Sequence, residues 1–177
     1  MNRRPFSLFK NKILVESGSY VGDGIQQALG DGFEKVLSFE VCTQLYNHCV
    51  QRFENEKRVE LINGSSATQL LDEILKINEP ITFWLDGHYS AGTTSYDPNH
   101  ICPLILELHQ ISQHPIKTHT ILIDDRRLMT ASTNNGLDGK FDVLEETILE
   151  KLKQINPNYK ISYLDGHVEN DIIIAQI

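Results

Sequence analysis

The sequence predicts a doubly wound α/β fold, in which a mostly parallel sheet of seven strands carries helices on both faces. Short apolar runs alternate five times with segments whose apolar residues recur at helical spacing, which is typical of βα units. The last two apolar runs, at residues 160–164 and 171–177, are too close together for a parallel crossover. The C-terminal strand is therefore expected to be antiparallel to its neighbour.

The first βα unit contains the turn around which the chain is organised. Residues 13–15 form a short apolar run that favours a buried parallel strand, and Gly18 and Gly22 allow the following backbone to turn tightly and approach a ligand closely. The spacing from Gly18 through Gly22 to Gly24 differs from the dinucleotide fingerprint Gly-x-Gly-x-x-Gly. The acid at Glu16 favours a cationic or hydroxyl-rich ligand over a pyrophosphate.

The later units follow the same alternation, with an opening segment at residues 1–12 that predicts a short capping helix. A length of 177 residues suits one domain spanning 1–177, with enough core to fold without disulfides. The pattern predicts helices at 25–29, 43–53, 70–77, 101–111 and 143–155, and strands at 35–40, 59–63, 81–86 and 119–125.

Composition narrows the classes of partner. The net charge of −8 argues against a nucleic-acid partner, which would require a basic surface. No apolar run approaches the roughly 18 residues of a membrane span, and the basic start is not followed by a signal-peptide core. Three cysteines without Cys-x-x-Cys spacing indicate reduced thiols rather than a zinc site. We expect a cytoplasmic protein, without a membrane partner, that acts on a small-molecule or glycan substrate.

Polar residues follow most of the predicted strands. In an open parallel sheet, ligands bind beyond the carboxyl ends of the strands, near the point where the strand order reverses. Residues at or near such ends are therefore the candidates for binding and catalysis: Glu16, Glu40, Ser65, Asp86, Asp124 and Asp125.

Glu40 is the candidate for recognising a ribose. It lies 22 residues after Gly18 (40 minus 18), close to the interval of about 20 residues at which an acid meets ribose hydroxyls in nucleotide-binding sheets. A carboxylate can accept hydrogen bonds from both hydroxyls. The alternative is a solvated acid at the end of a strand.

The pair Asp124-Asp125 is the candidate metal site. Two carboxylates about 4 Å apart repel by roughly 4 kcal/mol at an effective dielectric constant of 20, and a divalent cation would offset that repulsion. With Asp86 from the preceding strand, three oxygen ligands could converge on Mg²⁺. The alternative is that one aspartate caps a helix or pairs with Arg126 or Arg127.

His88 is a candidate general base. It follows Asp86 by two residues in the loop above the predicted site, within reach of a substrate hydroxyl. The alternative is a histidine that hydrogen-bonds a loop carbonyl.

These residues resemble the class I S-adenosylmethionine-dependent methyltransferases over nearly the whole chain, which implies a Rossmann-like sheet with an antiparallel last strand. Within that class, Asp86 with Asp124-Asp125 resembles the metal-dependent sugar O-methyltransferases of the macrocin type. The resemblance is carried by Val15-Glu16-Ser17-Gly18-Ser19-Tyr20-Val21-Gly22-Asp23, Leu37-Ser38-Phe39-Glu40, Gly64-Ser65-Ser66, Phe83-Trp84-Leu85-Asp86-Gly87-His88 and Ile121-Leu122-Ile123-Asp124-Asp125-Arg126.

The resemblance implies a role for each matched position. Glu16 and Gly18 would contact the methionine end of S-adenosylmethionine, Glu40 its ribose, and Ser65 and Ser66 the region near its adenine, where the family commonly has an acid. The other residues implied in cofactor binding are Ser19, Tyr20, Gly22 and Asp86.

The implied reaction is in-line transfer of the sulfonium methyl group to a sugar hydroxyl. Asp86, Asp124 and Asp125 would hold Mg²⁺ or another divalent cation against the sugar, Asp86 or His88 would receive the proton, and the loops at 87–98 and 126–141 would cover the substrate.

Two other functions stay open: O-methylation of a catechol-like metabolite, and a nucleotide-binding module without catalysis. Nucleic-acid amino methylation is disfavoured because Asp97-Pro98 lacks the rest of the Asp/Asn-Pro-Pro-Tyr motif. A homodimer stays open as the oligomeric state.

Overall fold

A computed structural model describes residues 4–9, 11–90 and 94–177. Parts of the predicted opening helix (residues 1–3 and 10) and of the substrate loop (91–93) lie outside the described residues. The strands are β1 (Ile13–Ser17), β2 (Lys35–Glu40), β3 (Val59–Asn63), β4 (Ile81–Leu85), β5 (Thr120–Ile123), β6 (Lys160–Leu164) and β7 (Ile172–Gln176). The helices are α1 (Asp23–Gly30), α2 (Thr43–Arg52), α3 (Ser66–Ile74), α4 (Leu104–Ile111) and α5 (Glu145–Ile155), with 3₁₀ turns at Phe6–Leu8 and Arg126–Leu128.

The seven strands form one sheet in the order β3-β2-β1-β4-β5-β7-β6. Strands β1 to β5 are parallel to one another, whereas β7 is antiparallel to both β5 and β6. The predicted fold class is thus confirmed. The strand order reverses on the two sides of β1, because β2 lies on one side and β4 on the other, and the loop after β1 therefore opens into the crevice where ligands bind in such sheets.

Most elements lie within three residues of their predicted limits, whereas α3 begins at Ser66, four residues before its predicted start. Helix α4 differs by three residues, for a reason that the structure shows. The prediction began this helix at residue 101, but it begins at Leu104 after Pro103, which presets the backbone for a first turn. The residues before it are held in a loop by the bridge between Asp97 and His100 and by the bond from the Tyr89 N–H to the Ile101 carbonyl.

The two faces of the sheet carry separate cores because successive strand side chains point to opposite sides. One face packs Val15, Phe83 and Ile123 against α3, α4 and α5. The opposite face packs Leu14, Trp84 and their neighbours against α1 and α2.

The segment before β1 packs on the face that carries Trp84. The Phe6 ring makes edge contacts with Phe33, at 6.3 Å between centroids, and with Trp84, at 5.4 Å. This packing brings Arg4 to the same side of the sheet as α1.

Among the described residues, no helix is both long and apolar enough to cross a bilayer.

Candidate active site

The turn after β1 is fixed by two neighbouring strands. The N–H groups of Gly18 and Ser19 donate to the Phe39 carbonyl of β2 at 3.0 and 3.1 Å. Gly18 (φ +85°) and Gly22 (φ +86°) both have left-handed backbone conformations, and a Cβ at position 18 would lie 2.6 Å from the Asp86 carbonyl oxygen. Position 18 therefore requires glycine, for both its conformation and its close approach to the end of β4.

A cavity of about 180 Å³ opens at the carboxyl ends of β1, β2 and β4. It collects six of the predicted site residues: Gly18, Tyr20, Glu40, Ser66, Asp86 and His88. The rest of its lining is Arg4, Phe39, Val41, Gly64, Gly87, Ser90, Thr94 and Ser95.

Glu40 places a carboxylate in this cavity at the end of β2. The side chain is buried and accepts hydrogen bonds from the Tyr20 N–H at 2.9 Å, the Cys42 N–H at 2.8 Å and the Ser95 hydroxyl at 2.8 Å. Two of the three donors are backbone groups, so the carboxylate is held in one orientation. The Ser95 hydroxyl occupies an acceptor position that a ligand hydroxyl could take.

Glu16 lies beneath the turn, outside the cavity lining formed by the described residues. It is 1% exposed, its carboxylate accepts from the Ser38 hydroxyl at 2.7 Å, and the Ser19 hydroxyl lies 2.6 Å from that of Ser38. Burial raises the pKa of Glu16 to about 7, against an opposing effect of Arg4. A Cβ at Gly24 would lie 1.9 Å from Glu16 Oε1, so glycine at 24 makes room for this buried acid.

Three acids lie on one face of the sheet at adjacent strands. Glu16 is level with Trp84 in the register, and Asp86 and Asp124 follow Trp84 and Leu122 by two residues, which places all three acids on the same side. Burial, and then repulsion from Asp124 and Asp125, raises the pKa of Asp86 well above its ordinary range. We call Glu16, Asp86 and Asp124 the acid row.

Asp124 and Asp125 have different environments although they are adjacent. Burial, and then repulsion from Asp125, raises the pKa of Asp124 to about 6. Burial also opposes ionisation of Asp125, but His88 and Arg127 outweigh it and hold its pKa below the ordinary value. Asp125 has a left-handed backbone conformation (φ 58°) and forms an ion pair with Arg127, so one of the alternatives derived from the sequence is present.

His88 connects this pair to the cavity. Its Nε2 lies 2.9 Å from Asp125 Oδ2 and 3.0 Å from the Ser90 hydroxyl, and its Nδ1 lies 3.8 Å from Asp86 Oδ1. The carboxylate on Nε2 assigns the ring proton to that nitrogen and leaves the Nδ1 lone pair on the Asp86 side. The imidazole packs against the Phe141 ring with centroids 4.2 Å apart, which fixes its plane.

Two groups of side chains have ligand atoms close enough for a metal ion. Within the described part of the chain they are Asp86, His88 and Asp125, and Asp124, Asp125 and Asp171, each with ligand atoms within 4.8 Å of one another. The three predicted metal ligands are thus divided between two groups that share Asp125. Asp171, which is buried, also forms an ion pair with Arg127.

Below the cavity, Glu107 of α4 forms a network that the sequence analysis did not identify. Its carboxyl accepts a hydrogen bond from the Ser66 hydroxyl at 2.6 Å and another from Ser17, and burial raises its pKa to about 7. Ser17 Oγ in turn accepts from the Asp86 N–H at 3.2 Å. The sequence did contain a signal for Glu107, because it is an acid among the apolar residues Leu104, Leu108 and Ile111 of the predicted helix.

Ser65 begins α3 as its N-cap residue without a side-chain capping bond, and it lies outside the cavity lining formed by the described residues.

No protein-family model matches the chain, and no curated protein sequence matches it. Its structure is similar to that of an O-methyltransferase from Bacillus cereus in complex with SAH, at a TM-score of 0.63 and 13% identity over 94% of this chain and 74% of that one. An rRNA methylase from Streptococcus thermophilus aligns at a TM-score of 0.57 and 14% identity over 99% and 98% of the two chains. Aeropyrum pernix fibrillarin with bound S-adenosyl-L-methionine aligns at 0.58 and 9%, over 94% and 66%. These solved structures are methyltransferases by name or bind the methyl donor, and the chain has the Rossmann-like methyltransferase fold.

Proposed function

We propose that this protein is an S-adenosylmethionine-dependent O-methyltransferase that acts on a hydroxyl group of a sugar or glycan. One observation carries the proposal: the Gly18 turn and the Glu40 carboxylate share a cavity with Asp86 and His88. A cofactor-type site and an acid–base pair therefore lie side by side at the switch point of the sheet.

The charges around the cavity fit this cofactor. S-adenosylmethionine carries a sulfonium and an ammonium group, and Asp86, which belongs to the acid row and lines the cavity, would supply a carboxylate to face them. Glu40 offers a fixed carboxylate for the ribose hydroxyls. When bound, the cofactor would supply an electrophilic methyl group: its bond to the sulfonium sulfur would break, leaving S-adenosylhomocysteine, as its bond to the acceptor oxygen forms and the hydroxyl proton passes to a base.

We assign the acceptance of that proton to His88. Asp125 fixes the ring through Nε2, so Nδ1 is the free basic atom, and Phe141 limits rotation of the imidazole. Asp86, 3.8 Å from Nδ1, would stabilise the imidazolium after proton transfer.

Asp124, Asp125 and Asp171 would hold a divalent cation and leave the His88 Nδ1 lone pair free for the proton. A cation on Asp86, His88 and Asp125 would occupy that lone pair, and His88 could not then act as the base. Three carboxylates suit Mg²⁺, which prefers oxygen ligands. When bound there, a cation would lower the pKa of an acceptor hydroxyl.

The first experiment is calorimetric titration with S-adenosylhomocysteine, with and without Mg²⁺ or Mn²⁺. Tighter binding of S-adenosylhomocysteine in the presence of metal supports a metal-dependent reaction, and equal affinity with and without metal contradicts it. The absence of binding in every condition contradicts the proposed function. A variant with both Asp124→Asn and Asp125→Asn is expected to lose turnover, whereas a non-catalytic binding module would keep its role.

A panel of acceptors tests the substrate class. Radiolabelled methyl transfer is measured to sugars and nucleotide sugars, to catechols and to RNA. The RNA arm is included because one similar structure is named as an rRNA methylase, although the net charge of −8 disfavours that partner. Methyl transfer to sugars alone supports the proposed substrate class, whereas transfer to catechol or RNA instead of sugars contradicts it.

We also propose that residues 1–177 form a single methyltransferase domain.

A further inference from the structure

We propose that Arg4 binds a carboxylate group of the ligand, so that the site selects a zwitterionic amino-acid end. This inference rests on the proposed function, in which that end is the methionine part of the cofactor. It adds to the predicted site a residue from the segment before β1, and it gives that segment a role in ligand specificity.

Arg4 is held in place at the cavity by contacts on both its backbone and its side chain. Its N–H donates to Gln27 Oε1 at 3.0 Å, and its carbonyl accepts from Gln27 Nε2 at 2.5 Å. The guanidinium carbon lies 5.7 Å from the centre of the Trp84 ring. The backbone of Arg4 is therefore fixed before any ligand arrives, which limits the positions open to its guanidinium.

The guanidinium has an unused donor. Arg4 Nε is buried and has no hydrogen-bond partner among the described residues, although the side chain lines the cavity. A buried donor without a partner is costly, more so when it belongs to a charged group. A carboxylate placed against the guanidinium could accept two parallel hydrogen bonds, and one that reached Nε would supply the partner that this donor lacks.

The surrounding charges favour a zwitterion over a simple anion. The positive charge of Arg4 opposes the upward pKa shifts of Glu16, Asp86 and Asp124, so the guanidinium lies within electrostatic range of all three acids. A phosphate bound to Arg4 would be repelled by these three acids. A ligand with a carboxylate and an adjacent ammonium group would place its negative charge on Arg4 and its positive charge towards the row.

The test compares two ligands that differ only in the amino-acid part. S-adenosylhomocysteine carries that part, whereas 5′-deoxy-5′-methylthioadenosine has the same adenosine and a thioether but no carboxylate or ammonium. We expect Arg4→Met to weaken binding of S-adenosylhomocysteine by about 10- to 100-fold and binding of methylthioadenosine by less than about 2-fold. Arg58→Met is the matched control, because Arg58 is exposed and paired with Glu56.

A second measurement needs no substitution. The carboxamide of S-adenosylhomocysteine is expected to bind the unaltered protein about 10-fold more weakly than the acid, and this difference is expected to vanish in Arg4→Met. Equal weakening of both ligands by Arg4→Met, or equal affinity of acid and carboxamide for the unaltered protein, would overturn the role of Arg4 alone. Binding of neither ligand by the unaltered protein would overturn the proposed function and this inference with it.

Discussion

Asp86 shows how a single side chain can serve the proposed function at the expense of stability. Its carboxyl group is half-buried beside Asp124 and Asp125, and desolvation and the repulsion from these two acids both disfavour its ionised form in the folded state. A group whose folded pKa is raised lowers stability once the pH exceeds its unfolded value. At neutral pH, Asp86 therefore lowers the stability of the ligand-free protein relative to its stability at low pH.

Replacing Asp86 by asparagine tests whether this side chain lowers stability while it serves methyl transfer. We expect Asp86→Asn to raise the free energy of unfolding of the ligand-free protein by roughly 1 kcal/mol, which corresponds to a few degrees in Tm. The same variant is expected to lose methyl transfer. Thermal melting and radiolabelled transfer measure the two effects, with the exposed Asp72→Asn as control. A variant less stable than the parent would contradict the account.

Glu40 is predicted to contribute to affinity without contributing equally to stability. Glu40→Gln keeps one acceptor oxygen but removes the charge that would strengthen hydrogen bonds to ribose hydroxyls. We expect affinity for S-adenosylhomocysteine to fall by about 10- to 100-fold, the range for loss of a charge-assisted hydrogen bond. Calorimetry measures the change, and the exposed Glu54→Gln is the control. Unchanged affinity would remove Glu40 from the binding site.

The sequence could predict the acids at the strand ends but not the charged residues that surround them. Acids directly after apolar strands are visible because strand ends of a parallel sheet share one edge. Arg4 and Asp171 lie in segments with no such regularity, and they reach the site only through tertiary packing. The pairing of Arg127 with Asp125 was one of several local alternatives, and the sequence offered no basis for choosing among them.

Glu107 ties helix α4 to the loop that begins α3. Its pKa is raised from 4.5 to about 7 by burial, so the folded state holds a proton that the unfolded state releases between those values. The stability contributed by this carboxyl is therefore fully present below about pH 4.5 and is lost as the pH rises towards 7.

The variant Glu107→Gln removes this pH dependence and keeps an acceptor for Ser66. Relative to the parent, we expect it to gain roughly 2–3 kcal/mol of unfolding free energy between pH 4.5 and pH 8. Chemical denaturation at the two pH values measures the difference. Glu146→Gln, on the exposed surface of α5, is expected to show no such trend. A difference that shrinks with rising pH would have the wrong sign.

Elements with regular spacing were the most predictable. Strands β2, β3 and β6 have the predicted limits, and β3 and β6 are each followed directly by a glycine-containing turn, at residues 64–65 and 165–166. Limits set by long-range contacts were less predictable, as in α4, where Pro103 and the Asp97–His100 bridge shorten the helix. The type and order of the elements thus follow from local pattern, whereas their ends depend on neighbours.

At the scale of the molecule, ligand binding is expected to stabilise the whole fold. A ligand at 100 times its Kd adds about 2.7 kcal/mol, which for a chain of this size raises Tm by roughly 5–10 °C. Thermal melting with S-adenosylhomocysteine is expected to show this shift. ATP is the control ligand, since its phosphates would meet the acid row, and an equal shift with ATP would count against the assigned specificity.

Strand β7 lies between β5 and β6, although it follows both in the sequence. During synthesis from the N-terminus, β6 therefore has no partner in this sheet until residues 172–176 have left the ribosome. Until then the nascent chain exposes an unpaired edge on β5, which chaperones or other strands could bind. Completion of the sheet is thus coupled to translation of its last strand, and a stalled ribosome would leave the acids after β5 unsupported by the Asp171–Arg127 pair.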